Sequence, residues 1–157
     1  MAGGVSHRPC QGRRALRTGG GLSSVAMTTG YTEDHAAAGV KAPLPDIDTW
    51  PSQYPEDYEV VITIPEFTSI CPKTSLPDFA TITLTYVPDR SCVELKSLKE
   101  YLLAYRNLGI FNENVVNRVL GDLVAALAPR RATVLGVFTP RGGIQVSVTA
   151  SFPTRAS

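Results

Sequence analysis

From Tyr58 onward the chain starts to alternate. Val60, Ile62 and Ile64 take one side and Val61 and Thr63 the other, the period-2 signature of a strand that Pro65 ends. Residues 67–79 read as a loop containing Pro72, Lys73, Pro77 and Asp78. Thr81, Thr83 and Thr85 then alternate with Ile82, Leu84 and Tyr86, a second strand with one hydroxyl face and one apolar face. Pro88-Asp89-Arg90 closes it. The period changes at residue 94: Leu95, Leu98, Leu102 and Tyr105 form one stripe of a helix over about 94–107, broken by Gly109. Asn112 or Asn114 is placed to cap a second helix, striped by Val116, Val119, Leu120, Leu123 and Leu127 and stopped by Pro129. Residues 133–138 are a third strand. Pro140-Arg141-Gly142-Gly143 makes a tight turn into a fourth, where Ile144, Val146, Val148 and Ala150 alternate with polar residues. The order ββααββ predicts an α+β unit, a four-stranded antiparallel sheet with both helices on one face.

Ahead of this body the pattern fails. Residues 1–27 hold four arginines, six of the thirteen glycines and no acid, and read as a disordered leader or N-terminal extension, with a targeting segment as the other reading. Residues 28–57 carry Pro43, Pro45, Pro51 and Pro55 and read as a Pro-rich arm, pinned to the body through Trp50. The domain proper spans 58–153. The chain of 157 residues has a net charge of +1, but residues 28–157 hold 11 basic against 14 acidic groups. A mildly acidic body argues against direct nucleic-acid binding. No apolar run approaches the roughly 20 residues of a spanning helix, so no membrane partner is expected.

Cys10, Cys71 and Cys92 cannot all pair and form no C-x-x-C pattern, which points to a reducing, cytoplasmic setting. Both histidines, His7 and His35, precede the body. That removes Ser-His-Asp and Cys-His catalysis and argues against a metal. Cys71 remains as a nucleophile, on a loop with Lys73 beside it and Asp78 within reach as a proton donor or acceptor; a packing thiol and a turn aspartate are the bland alternatives. Lys96 and Lys99 share a helix face suited to phosphate, and Arg141-Gly142-Gly143 sets a cation beside backbone N–H groups; either is equally a solvated face or a turn. Glu113, at the start of the second helix, could accept two hydrogen bonds from a guanine-like edge, with Asn112 adding a contact, or could simply favour the helix dipole. Cys92 reads as packing at a strand end.

Together these segments resemble the QueF family, the NADPH-dependent 7-cyano-7-deazaguanine reductases of queuosine biosynthesis. Ser69-Ile70-Cys71-Pro72 with Asp78 is similar to the family's nucleophile loop, and Glu94-Leu95-Lys96-Ser97-Leu98-Lys99 to its signature, with Glu100 departing from the usual residue. Tyr105-Arg106-Asn107, Phe111-Asn112-Glu113 and Thr139-Pro140-Arg141-Gly142-Gly143 follow in order; residues 1–57 lie outside the resemblance. The resemblance implies the tunnelling fold (T-fold), with Cys71 adding to a nitrile to give a thioimide and Asp78 donating the proton. It implies Val93, Glu94, Leu95, Asn112 and Glu113 as substrate contacts, and Lys96, Ser97, Lys99 and Arg141 as NADPH contacts. Asn112 stands where members of the family often carry histidine, which implies an altered rate and the same reaction.

Two alternatives belong beside it: a QueF-like amidinotransferase acting on nitrile-bearing tRNA, which would lack the Glu94–Lys99 signature, and a non-catalytic T-fold assembly module. A four-stranded sheet leaves both edges uncovered, and one small body has little room for a ligand pocket. The T-fold that the resemblance implies closes such sheets into barrels, so a cyclic homo-oligomer, two stacked rings with sites between subunits, is expected.

Overall fold

The structure is a computed structural model that describes Met1 and residues 30–154. The expectations for residues 2–29, including His7 and Cys10, lie outside the described residues.

A helix α1 (Glu33–Ala37) and a short strand β1 (Thr49–Pro51) precede the long strands β2 (Val60–Ile70) and β3 (Pro77–Val87). After β4 (Ser91–Val93) come α2 (Leu95–Leu103), a 3-10 turn (Ala104–Asn107), α3 (Asn112–Leu127), β5 (Arg131–Phe138) and β6 (Ser147–Phe152). The main sheet has the order β2-β3-β5-β6, with every neighbouring pair antiparallel. Ile82, Leu84 and Tyr86 of β3 are buried with Leu98, Tyr105, Val116, Val119 and Leu123 of the helical layer, while Thr81, Thr83 and Thr85 stay half-exposed on the opposite face. The alternation along β3 thus sorts the two faces as its sequence requires.

The remaining differences have local causes. The stretch expected as a loop, 67–79, is mostly strand, because a register shift between Ile64 and Phe67 absorbs Pro65 and lets β2 run on to Ile70. The true loop is only residues 71–76. β6 begins at Ser147, later than expected, because Arg141 and Ile144 exchange both backbone hydrogen bonds around Gly142 and Gly143. Both glycines have positive φ, 56° and 79°, as a two-residue hairpin turn of this hand demands. Phe111, with no side-chain hydrogen bond, occupies the cap position of α3; Asn114 instead donates to the carbonyl of Ala36.

The arm is built into the fold. β1 pairs with β4, and Trp50 donates its indole N–H to the carbonyl of Val93 at 3.1 Å, the pinning expected of it. Leu44 and Ile47 pack against the core.

Candidate active site

Cys71 follows directly on the last residue of β2, where the β2–β3 hairpin closes. Its N–H donates to Leu76 O and its carbonyl accepts from Ser75 N–H, both at 2.9 Å, so the cysteine's own backbone locks the loop. Ser75 takes the left-handed conformation, φ 57°, to make this closure. Behind the loop, Ile70 donates to Leu108 O and accepts from Ile110 N–H, tying the base of the loop to the segment that leads into α3. The thiol is free and half-buried. Lys73 is turned toward the arm, donating to Gly30 O at 2.9 Å with its Nζ 5.6 Å from the centre of the Tyr31 ring.

Asp78 stands on β3 directly across from Ser69, two positions from the loop. Its side chain is 13% exposed, and Arg141 approaches its Oδ1 to 3.1 Å. Burial pushes the carboxyl above its ordinary value, and the Arg141 charge works against that rise. A cavity of about 150 Å³ opens here, lined by Asp78, Asn112, Thr139, Arg141 and the apolar Phe138 and Val146. The Oδ1 of Asn112 is buried in the fold without a hydrogen-bond partner, as is Ser69 Oγ. Buried acceptors are normally satisfied, so Asn112 offers a ligand donor an unclaimed partner. Glu113, next to it in the first turn of α3, is exposed. Cys71, Asp78, Asn112, Glu113 and Arg141 therefore share one end of the molecule.

Val93, Glu94, Leu95, Lys96 and Ser97 lie toward the other end of β3, and Lys99 lies between, beside Ile64 and Phe67. Val93 is buried, its N–H donating to the Tyr86 hydroxyl at 3.1 Å. From Asp78 to Tyr86 is eight steps along β3, roughly 27 Å at about 3.4 Å per residue. Glu94 caps α2, accepting from Lys96 N–H at 2.9 Å and Ser97 N–H at 2.6 Å. The Ser97 and then the Lys96 amide hold its carboxyl below its ordinary value. Leu95, expected in the buried stripe, is 61% exposed. Lys96 is exposed and pairs loosely with Glu100 at 3.9 Å. Lys99 and Arg106, with one acid, Glu66, flank a groove of about 230 Å³ whose apolar wall is Ile62, Ile64, Phe67 and the apolar side of α2.

Ser97 is placed otherwise than expected. Its hydroxyl points inward, accepting from Asp48 N–H and donating to Glu94 O, so it fastens the arm to the helix start and is not turned to a cofactor. Three features escaped sequence reasoning: the Asp78–Arg141 pair, the unsatisfied Ser69 hydroxyl, and Arg106 beside Lys99. Arg106 and Ser69 left a trace in the sequence, within Tyr105-Arg106-Asn107 and Ser69-Ile70-Cys71-Pro72, and Asp78 and Arg141 stood out singly but not as a pair. Cys92 packs as expected, buried with its sulfur 3.2 Å from the Tyr58 hydroxyl. Among the described residues no group of three or more His, Cys, Asp or Glu side chains is placed to hold a metal ion, and no helix is long and apolar enough to cross a membrane.

The family model described as QueF-like protein matches residues 77–157. The NADPH-dependent 7-cyano-7-deazaguanine reductase of Elusimicrobium minutum is 56% identical over 123 residues, covering 78% of this chain and 93% of that protein. The reductase of the same name from Chlorobaculum tepidum is 58% identical over 107 residues, 68% of this chain and 92% of that protein. An alignment of 123 residues is longer than the stretch 58–157, so the likeness takes in part of the arm, and the expectation that residues 1–57 lie outside it is corrected. Among solved structures, the apo form of the archaeosine synthase QueF-Like superposes with a TM-score of 0.55 at 21% identity, over 63% of this chain and 95% of that one. That likeness establishes the T-fold.

Proposed function

This chain belongs to the QueF family, and we propose on that footing that it reduces the nitrile of 7-cyano-7-deazaguanine to the aminomethyl group, using NADPH, in queuosine biosynthesis. The observation that carries the reading is a half-buried loop thiol, Cys71, at the same hairpin end as the largely buried carboxyl of Asp78, which stands across from Ser69. The Cys71 thiolate adds to the nitrile carbon, forming a C–S bond as one C–N π bond breaks. Asp78, whose hold on a proton burial strengthens against the pull of Arg141, gives the proton to nitrogen, leaving a thioimide. The unpartnered Asn112 Oδ1 and the Glu113 carboxylate are acceptors for the purine N–H edge.

NADPH would supply hydride, and a nitrile becoming a primary amine consumes two, with two protons in all, one of them passed through Asp78 and replaced from solvent, and the C–S bond breaks to give back the Cys71 thiolate. The exposed Lys96 and the groove between Lys99 and Arg106 fit such a group, offering cations for its phosphates and an apolar wall for a ring. Arg141 is spent on Asp78 in this chain, so its share in holding NADPH requires release from that pair. The reductase reading is preferred to amidino transfer onto tRNA because Glu94-Leu95-Lys96-Ser97-Leu98-Lys99 is present and residues 28–157 are net acidic. A reduced thiol and a pyridine nucleotide are both at home in the cytoplasm.

One chain carries the two halves of this site too far apart to close around one purine. We read the working form as a cyclic homo-oligomer, two stacked rings, in which Val93, Glu94 and Leu95 of one copy meet Cys71, Asp78, Asn112 and Glu113 of another. The outer edges of β2 and β6 support this: apart from the bridge between Ile70 and Gly109, no described strand pairs with them.

The decisive experiment is the intact mass of the protein after incubation with 7-cyano-7-deazaguanine in the absence of NADPH. An adduct equal to the whole nitrile, absent in Cys71→Ala, is the expected result. Folded wild-type protein that gains no mass at saturating nitrile would overturn the reading.

A further inference from the structure

Arg118, on α3, lies outside every residue assigned above to binding or chemistry, yet it is almost fully enclosed. Its side chain is 13% exposed and makes contacts on two sides. Its Nη1 and Nη2 donate to the carbonyls of Gly39 and Ala42, both in the arm. Its Nε lies 3.4 Å from Asp122 Oδ2, one turn along the same helix. Asp122 in turn accepts from the Tyr101 hydroxyl at 2.7 Å, and Tyr101 and Tyr105 share a hydrogen bond at 2.8 Å. The guanidinium is thus aimed by α2 and α3 and grips a turn of the arm with its fork of donors.

That turn has somewhere to press. Gly39 adopts φ +72°, and a Cβ there would fall 2.5 Å from Gly109 O and 2.8 Å from Ile110 Cβ. The arm backbone therefore lies directly on Gly109 and Ile110, closer than any side chain would permit. Ile110 N–H is bonded to Ile70 O, the residue before Cys71, and Ile110 leads through Phe111 into Asn112 and Glu113. The arm reaches the same region a second time through Tyr31, whose ring lies 5.4 Å from that of Phe111 and beneath the Lys73 ammonium of the nucleophile loop.

We propose that Arg118 is a positioning residue: by clamping Gly39 and Ala42 it seats the arm on Gly109–Ile110, and so fixes Cys71 relative to Asn112 and Glu113. The inference rests on the reductase reading for its chemical consequence, and on the contacts alone for its mechanical one. A purely stabilising role would leave the thiol's working position unchanged in folded protein. A positioning role slows thioimide formation without touching the hydride donor.

The test compares Arg118→Met, Arg118→Lys and Gly39→Ala with wild type in the full chain. Hydrogen exchange is read over residues 70–76 and 108–113, thioimide formation by mass at saturating nitrile, and the KM for NADPH in the full assay. Arg118→Met is expected to expose those two segments while residues 119–127 stay protected. It should slow adduct formation about tenfold with the NADPH KM unchanged. Arg118→Lys should recover part of the rate, and Gly39→Ala should reproduce the Arg118→Met pattern from the other side of the contact. Where Arg118→Met does not fold, the other two variants carry the same comparison. Unchanged exchange in the two segments, or local exposure with an adduct rate within twofold of wild type, overturns the inference. Should wild type itself form no adduct, the reductase reading fails, while the exchange pattern still decides the mechanical link.

Discussion

Arg141 holds its guanidinium 3.1 Å from the Asp78 carboxylate, reaching from the β5–β6 turn to the start of β3. The carboxyl is pulled two ways, upward by burial and downward by this cation. Removing the cation leaves burial unopposed, so in Arg141→Gln the carboxyl should hold its proton to higher pH. If Asp78 is the acid, the falling limb of adduct formation against pH moves to higher pH in that variant. The profile is measured by mass without NADPH, where cofactor contacts play no part. A limb that stays put, or moves to lower pH, assigns the proton to another group.

The same carboxyl writes a signature into stability. Its folded value is raised above the unfolded one, so its contribution is present at acid pH and is lost as pH rises through the folded value. Asp78→Asn has no such step. The melting temperature of the variant minus that of wild type should therefore grow more positive from acid to neutral pH. Thermal melts across that range check the sign.

Lys96 and Lys99 are expected to serve phosphate and little else. Their joint replacement by alanine should raise the NADPH KM about tenfold and leave adduct formation intact. Stability should change by less than about 0.5 kcal/mol, since the Lys96–Glu100 pair is long and exposed. A double variant that folds but forms no adduct would move these lysines to the nitrile site.

Gly136 on β5 faces α3 with no room to spare. An added Cβ would lie 2.7 Å from Val116 Cγ2, 3.1 Å from the Phe138 ring and 3.2 Å from Ile82 Cδ1. Gly136→Ala should cost about 2 kcal/mol through overpacking of the sheet–helix layer. Denaturant unfolding of the two proteins gives the difference directly.

Assembly and the arm can be tested together. A chain beginning at Met27 should keep full activity, because residues 1–26 carry no periodic pattern. One beginning at Tyr58 should lose it, because β4 loses its partner strand and Val93 its bond from Trp50. Light scattering and assay over a dilution series should show activity falling as the oligomer dissociates. A monomer with full activity would refute the shared site.

Repeating patterns made most of the fold legible in advance. Thr81 to Tyr86 announce a two-faced strand, and Leu98, Leu102 and Tyr105 a buried helical stripe, because periodicity records which way a side chain points. The β1–β4 ribbon has only three residues a strand, too few to show a period, and Pro51 within it argues against a strand. Cys71 and Asp78, the proposed nucleophile and acid, stand out in the sequence because one motif keeps them close together. Their surroundings do not. Arg141 meets Asp78 only through the strand order of the sheet, and Ser97 turns inward only because the arm returns to offer it the Asp48 amide. Leu95 obeys the helical stripe yet stands in solvent, because the stripe records spacing and not what lies opposite it.

The closure of the nucleophile loop bears on which electrophiles this site can accept. Enzymes that attack esters or amides through a side chain commonly turn backbone N–H groups, often including that of the nucleophile itself, toward the oxygen that becomes an anion. Here the Cys71 amide is already spent on Leu76. A carbonyl entering the site would find that donor occupied and its developing alkoxide unsupported from that quarter. A nitrile has no such need: charge grows on a nitrogen basic enough to be quenched by one proton, and a neighbouring carboxylic acid delivers it. On the reductase reading, a loop that gives up this backbone donor to hold its own shape favours sp carbon over sp² carbon before any contact with the purine is made.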